Sequence, residues 1–227
     1  MDFLPYKLEW CKQNGLGVHI LDNYSKDGSW EYLVKHNVSR ERINTNGMFD
    51  LLTLQRATVG AINRLKPDWI VYVGLDTFIL THNSLSLEIK KCQGNVLGGR
   101  WINIHNTGEV RGNPFKTYFY YGNIKKRIEL IYKYHPKARL FGDDLQLRNK
   151  KVEPLRGIYV NFGNVKPSNQ RNETYIRRKM AWQKGICKGW GTHYPVYKSQ
   201  NWIWDPKKLK DIRKSEYWEL YQKLWLL

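Results

Sequence analysis

An alternation of helix and strand patterns through the first two thirds of the chain is the feature that most constrains its fold. Amphipathic runs with helical spacing are separated by short apolar, β-branched runs that are typical of buried strands. Strands separated by helices usually pair in parallel and carry the helices on their faces, so this order predicts an α/β fold with a mostly parallel sheet flanked by helices. The predicted helices cover 3–14, 28–35, 48–65 and 83–91, and the predicted strands cover 17–22, 69–73 and a run from 96 onward.

Beyond this region the patterns are less regular. The predicted elements are loops and edge strands at 98–122, a helix at 123–134, an extended run at 152–162 and a basic helix at 171–185. Asp205-Pro206 is a favourable N-cap followed by a first-turn proline, so a last helix is predicted from there to about residue 226. We therefore divide the chain into one α/β domain, 1–205, and a C-terminal basic amphipathic helix, 206–227. That helix either packs on the domain or makes a peripheral contact with an anionic membrane.

The net charge of +18 favours anionic partners such as nucleic acid, an anionic membrane surface or phosphorylated small molecules, although a basic surface also serves solubility alone. The three cysteines, Cys11, Cys92 and Cys187, lie far apart, which argues against a disulfide framework and a structural zinc site. Neither a membrane-spanning apolar run nor a signal-peptide core is visible. We therefore expect a cytoplasmic location.

Two acidic segments follow predicted strands directly. Asp22 and Asn23 come at the end of the run at 17–22, and Asp76 follows the run at 69–73. Ligands of parallel α/β sheets bind beyond the carboxyl ends of the strands. Asp22 can therefore accept hydrogen bonds from a nucleobase or a ribose, and Asp76 can hold a divalent ion against a diphosphate. The structural alternatives are an Asx turn at Asp22 and a strand-ending turn at Asp76.

A third acidic segment, Gly142-Asp143-Asp144, is predicted at a boundary between a loop and a helix. Adjacent carboxylates beside a glycine can direct one acidic group at a reacting hydroxyl, where it acts as a general base. The structural alternative is a helix N-terminus whose acidic residues complement the helix dipole.

Together, the three segments resemble the motifs of family 2-type glycosyltransferases of the GT-A fold. The similarity covers roughly residues 5–150 in the family's order. The matching residues are Leu8-Glu9-Trp10, Leu16-Gly17-Val18, Asp22-Asn23, Ser25, Asp27-Gly28, Asp68-Trp69, Asp76, Phe78 and Gly142–Arg148.

This resemblance implies a GT-A, Rossmann-like fold and transfer of a sugar from a nucleotide-diphosphate sugar, with UDP favoured, to a hydroxyl of a glycan or glycoconjugate. The reaction is expected to invert the anomeric centre. The implied roles are donor contacts at Asp22, Asn23, Gln55, Arg56 and Asp76, a general base at Asp144 assisted by Asp143, and binding of Mn²⁺ or Mg²⁺ by Asp76 and His193.

The sequence departs from the family pattern at two places. Gly74 stands where the first acid of the family's D-x-D motif is expected, and Thr77 replaces the glutamate that follows it. This leaves Asp76 as the one family metal ligand. The family also begins with a strand before its first helix, whereas this sequence reaches the helical pattern almost at once.

Two other functions fit the sequence less well. A nucleic-acid-binding protein or a metal-dependent nuclease accounts for the basic charge and the aromatic residues. However, the basic residues are scattered, so no specific nucleic-acid partner is predicted. A non-catalytic glycosyltransferase relative accounts for Gly74.

Overall fold

The structure is a computed structural model. It describes residues 3–45, 50–105, 113–122, 124–137, 139–141, 144–147, 149–165 and 206–227, together with single positions at 176, 180 and 183. The predicted basic helix at 171–185 therefore lies almost entirely outside the described residues.

The described part of the chain mixes α-helices, short 3₁₀ turns and β-strands. The α-helices are α1 (Leu4–Gln13), α2 (Ser29–Lys35), α3 (Leu51–Leu65), α4 (Leu85–Lys91) and α5 (Trp218–Gln222). The strands are β1 (His19–Asp22), β2 (Ser39–Arg42), β3 (Trp69–Val71), β4 (Thr77–Thr81), β5 (Val96–His105), β6 (Tyr120–Tyr121), β7 (Lys125–Lys133), β8 (Arg139–Phe141), β9 (Asp144–Gln146), β10 (Val152–Asn164) and β11 (Lys210–Asp211). The 3₁₀ turns cover Pro114–Lys116, Pro206–Lys208, Ile212–Lys214 and Lys223–Leu226.

Within the described residues the main sheet contains seven strands and is largely antiparallel, which corrects the prediction of a mostly parallel sheet. Strand β5 is its centre and pairs with β10 in parallel and with β7 and β6 in antiparallel fashion. The outer pairs, β10–β4, β7–β3 and β6–β11, are all antiparallel. The mixed α/β class is therefore confirmed, whereas the parallel arrangement holds only for part of the molecule.

The β1–α2–β2 segment has the parallel arrangement that the sequence predicts. Strands β1 and β2 pair in parallel from His19 opposite Ser39 to Asp22 opposite Arg42, and they form a two-stranded sheet of their own. Helix α3 follows β2, and its N-cap is Asp50, whose carboxylate accepts the backbone N–H of Thr53. Both strands therefore end on the same side of this small sheet.

Helix α1 and the C-terminal segment cover the free edge of β4. Alternate backbone carbonyls of an edge strand point away from the sheet and need partners. The side chains of Lys7, Trp10 and Lys223 donate to the carbonyls of Thr77, Ile79 and Thr81, respectively. This edge is therefore closed by side-chain donors.

An aromatic cluster fills the core between α1 and the sheet. The rings of Phe78 and Phe115 are 5.1 Å apart between centroids, and Phe115 and Phe162 are 5.2 Å apart, both in edge-to-face geometry. All three side chains are fully buried. At least part of the aromatic content of this sequence therefore serves core packing.

Four local predictions are wrong. Residues 98–105, predicted to belong to loops and edge strands, lie in the central strand β5. The run at 123–134 is strand β7 instead of a helix, and the segment around Asp144 is a β-hairpin of β8 and β9 instead of a loop entering a helix. The C-terminal segment is a series of short elements instead of one helix. Strand β11 pairs with β6, and the 3₁₀ turns and α5 that follow bury Ile212, Tyr221 and Leu224 in the core. Its predicted membrane contact stays a prediction.

Candidate functional site

Asp76 lies in a tight turn between β3 and β4. The backbone N–H of Thr77 donates to the carbonyl of Gly74 at 3.2 Å, which closes the turn. The carbonyl of Asp76 accepts the N–H of Phe162 at 2.7 Å, which joins the turn to β10. The side chain is half-buried. The backbone that carries this carboxylate is therefore fixed on both sides.

Two residues of β10, Asn161 and Gly163, lie against the Asp76 carboxylate. The amide nitrogen of Asn161 is 3.4 Å from Oδ1 of Asp76 and 2.7 Å from Oγ1 of Thr77. Its amide oxygen accepts the N–H of Gly163 at 3.0 Å. A Cβ at Gly163 would lie 3.4 Å from Oδ2 of Asp76, and a Cβ at Gly74 would lie 3.1 Å from Oδ1. Both glycines therefore border the carboxylate, and neither adds a Cβ beside its oxygens.

Lys7 lies beneath this turn and is only 4% exposed. Its ammonium donates to the carbonyl of Thr77 and lies 4.4 Å from the ring centroid of Phe78 and 4.7 Å from that of Trp10. These contacts are the carbonyl and cation–π partners that a buried ammonium needs. Burial nevertheless lowers the pKa of Lys7 to about 8, although the nearby Cys11 and Asp76 act to raise it.

The chemistry of this turn is compatible with a divalent ion that also binds a diphosphate. Mg²⁺ sites in nucleotide enzymes use one or two carboxylates, with substrate phosphates and water as the remaining ligands. The Asp76 carboxylate can supply the protein ligand of such a site. Among the described residues no group of three or more His, Cys, Asp or Glu side chains is placed to hold a metal. The predicted second ligand, His193, lies outside the described residues.

Asp22 ends β1, as predicted, but its carboxylate is 5% exposed. Both oxygens lie 3.3 Å from the backbone nitrogen of Ser25, which is three residues further along the chain and so one residue beyond the partner of an Asx turn. Oδ2 is also 3.8 Å from Nε of Arg42. Asn23 is exposed, and its side-chain oxygen accepts both the N–H and the hydroxyl of Thr45. These contacts tie the loop after β1 to the loop after β2.

An aromatic and cationic stack lies beside this loop and was not predicted from the sequence. The Cζ of Arg42 is 4.9 Å from the ring centroid of Tyr24 and 4.1 Å from that of Trp30. The Cζ of Arg40 is 5.3 Å from the Trp30 ring. The i, i+2 spacing of Arg40 and Arg42 on a strand, opposite a tryptophan in the preceding helix, is the signal that could have found it.

The other predicted donor residues lie on α3. Gln55 is half-buried and Arg56 is exposed, both near the N-terminal end of this helix. Their proposed donor contacts stay predictions.

Of the predicted acid pair, Asp144 begins β9, where its backbone pairs with Phe141 in the β8–β9 hairpin. Asp143 lies outside the described residues. The assignment of the base to Asp144 stays a prediction.

Comparisons with known proteins identify no family. The sequence matches no family model, and no curated protein matches it either. Within the described part of the chain, every helix is too short or too polar to cross a membrane.

Proposed function

We propose that this protein is a glycosyltransferase that moves a sugar from a nucleotide-diphosphate sugar to an acceptor hydroxyl, in a GT-A-like arrangement. The observation that carries the proposal is the Asp76 turn, where one carboxylate is supported by Asn161 and bordered by two glycines. The ordered resemblance of the Asp22, Asp76 and Gly142–Arg148 segments to glycosyltransferase motifs supports the same reading. The positive net charge suits a donor with two phosphates.

In this proposal, Asp76 holds a divalent ion together with His193, and a bound ion supplies neutralisation of negative charge on the departing diphosphate. Asn161 donates to Asp76 and fixes the orientation of its carboxylate. Asp22, Asn23, Gln55 and Arg56 lie on the nucleoside side of the donor.

Asp144 acts on the acceptor side as the general base. Its carboxylate accepts the proton of the acceptor hydroxyl while the oxygen attacks the anomeric carbon and the bond to the diphosphate breaks. A single displacement of this kind inverts the anomeric configuration. UDP is the favoured nucleotide of the donor.

Thermal unfolding with UDP-, GDP- and dTDP-sugars, each with and without Mn²⁺, tests the proposal, because a ligand that binds the native state raises Tm. We expect a rise with one nucleotide sugar that requires Mn²⁺ and is lost in Asp76→Asn. Asp27→Asn is a matched control, since the Asp27 carboxylate accepts the N–H of Ser29 just before α2 and belongs to no proposed metal set.

A single-stranded oligonucleotide serves as the competing ligand. A rise in Tm with the oligonucleotide and with none of the nucleotide sugars favours the nucleic-acid alternative. Transfer activity that is unchanged in EDTA and in Asp76→Asn contradicts the metal role of this residue.

A further inference from the structure

Tyr24 combines two features that are unfavourable for a residue with only a structural role. Its backbone φ is +53°, in the left-handed region that costs a residue other than glycine or asparagine about 1 kcal/mol. Its large aromatic side chain is 50% exposed. Strained residues of this kind cluster at active sites and ligand-binding sites.

The ring of Tyr24 packs against Arg42, whose side chain also contacts Trp30 of α2 and lies near the Asp22 carboxylate at the end of β1. The guanidinium of Arg42 lies over the Tyr24 ring and over the ring of Trp30, which is half-buried. The Asp22 carboxylate, 3.8 Å from Nε of Arg42, holds the guanidinium in place. Tyr24 is therefore an exposed aromatic surface fixed at the carboxyl end of the parallel β1–β2 pair.

We propose that Tyr24 is the stacking platform for the nucleobase of the donor, and that Asp22 acts through Arg42 as a positioning residue. This inference rests on the proposed function and adds a specific binding residue to it. The Asp22 carboxylate is buried and already accepts from Ser25, so it is poorly placed to receive a base edge, whereas the Tyr24 ring is open.

A nucleobase is the ligand that this surface favours. Every base has a π-face that stacks on an aromatic ring, and such stacking is worth about 1–3 kcal/mol per base when the aromatic residue is replaced by alanine. The guanidinium beneath the ring fixes its orientation, so little conformational entropy is lost on binding.

The test is isothermal titration of UDP and GDP, and separately of inorganic pyrophosphate, into the wild-type chain and three variants with Mn²⁺ present. Tyr24→Phe keeps the ring. Tyr24→Ala removes the ring. Tyr24→Asn also removes it but tolerates a positive φ, so it separates stacking from backbone strain.

We expect the Kd of UDP or GDP to rise about tenfold in Tyr24→Ala and Tyr24→Asn and to stay within about twofold of the wild-type value in Tyr24→Phe. The Kd of pyrophosphate should stay constant in all three variants. We also expect the Tm of Tyr24→Asn to equal or exceed that of wild type, because the strain is relieved.

The other outcomes separate the two proposals. Equal nucleotide affinity in all variants overturns the stacking role and leaves the glycosyltransferase proposal standing. Equal weakening of UDP and pyrophosphate shows a general distortion of the loop and also overturns stacking. A wild-type chain that binds neither nucleotide overturns the proposed function and the stacking role together.

Discussion

Replacement of Lys7 by methionine should remove a pH dependence of stability that the fold creates. Lys7 is buried beneath the Asp76 turn, and desolvation lowers its pKa from 10.5 to about 8. Methionine has a similar length, carries no charge and adapts to irregular packing. The variant therefore removes the ammonium with little change in volume.

The sign and size of the effect follow from proton linkage. Between pH 8 and 10.5 the unfolded chain keeps the Lys7 proton while the folded chain releases it, so the unfolded state binds more protons and stability rises with pH. Each pH unit in this window contributes about 1.4 kcal/mol. The free energy of unfolding of the wild-type chain should therefore gain about 3 kcal/mol from this residue across the window.

Urea unfolding at closely spaced pH values from 7 to 11 measures this contribution as the difference between wild type and Lys7→Met. Burial raises the pKa values of tyrosines such as Tyr159 and Tyr221, but their contributions to the pH dependence are the same in both chains and cancel in the difference. Burial also raises the pKa of Cys11, which lies one turn away on α1, so both chains are compared in a Cys11→Ala background.

Lys223→Met is the matched control, because Lys223 donates to the carbonyl of Thr81 at the other end of β4. A difference between wild type and Lys7→Met that does not change with pH refutes the reasoning. A pH-dependent difference of the same size in the control refutes its assignment to the buried position.

The remaining predictions concern the acid pair and one glycine. Asp144→Asn should lower the transfer rate by about 10²–10⁴-fold with little change in donor Kd, whereas Asp143→Asn should retain most activity. An inactive Asp143→Asn variant would reverse the assignment of the base. A product of retained anomeric configuration would contradict the single displacement. Gly157→Ala should destabilise the chain by about 3 kcal/mol in urea unfolding, because its Cβ would lie 2.1 Å from the carbonyl oxygen of Leu80. Gly17→Ala, where a Cβ meets nothing within 4 Å, is its control and should change stability by less than about 0.5 kcal/mol.

The sequence predicted those elements whose pattern is decided locally. Helices α1 to α4 and strands β1, β3 and β10 lie where the periodicity indicated, and the βαβ pattern correctly gave the parallel β1–β2 pair. The run at 123–134 was misassigned because Ile124, Ile128 and Ile131 have the spacing of a helical stripe. That segment is a strand because it pairs with β3 on one side and β5 on the other, and such tertiary contacts outweigh local propensity.

The parallel sheet was predicted wrongly for a related reason. The sequence order of strands and helices does not contain the direction in which β4, β7 and β10 pair. Strand β4 follows β3 after a short turn at Asp76, so the chain passes from one strand to the next without the helix that a parallel crossover requires. No strand was predicted at 77–81, although its five buried residues form β4.

The residues that contact Asp76 could not be predicted, because the register of β10 brings together residues that lie far apart in the sequence. Lys7 and Asn161 lie 70 and 85 positions from their partners in this turn, so no local spacing relates them. A one-residue slip between β10 and β4 would turn Asn161 away and bring an apolar neighbour to the carboxylate. Val160 and Phe162 on either side of Asn161 are fully buried and apolar, whereas Asn161 is only partly buried, so the alternation of polar and apolar residues holds at this point and fixes the register. Partial burial of an amide side chain costs free energy unless the amide has a hydrogen-bond partner, which Asp76 and Thr77 supply for Asn161. That cost is the one signal in the sequence that marks Asn161 as part of a polar site.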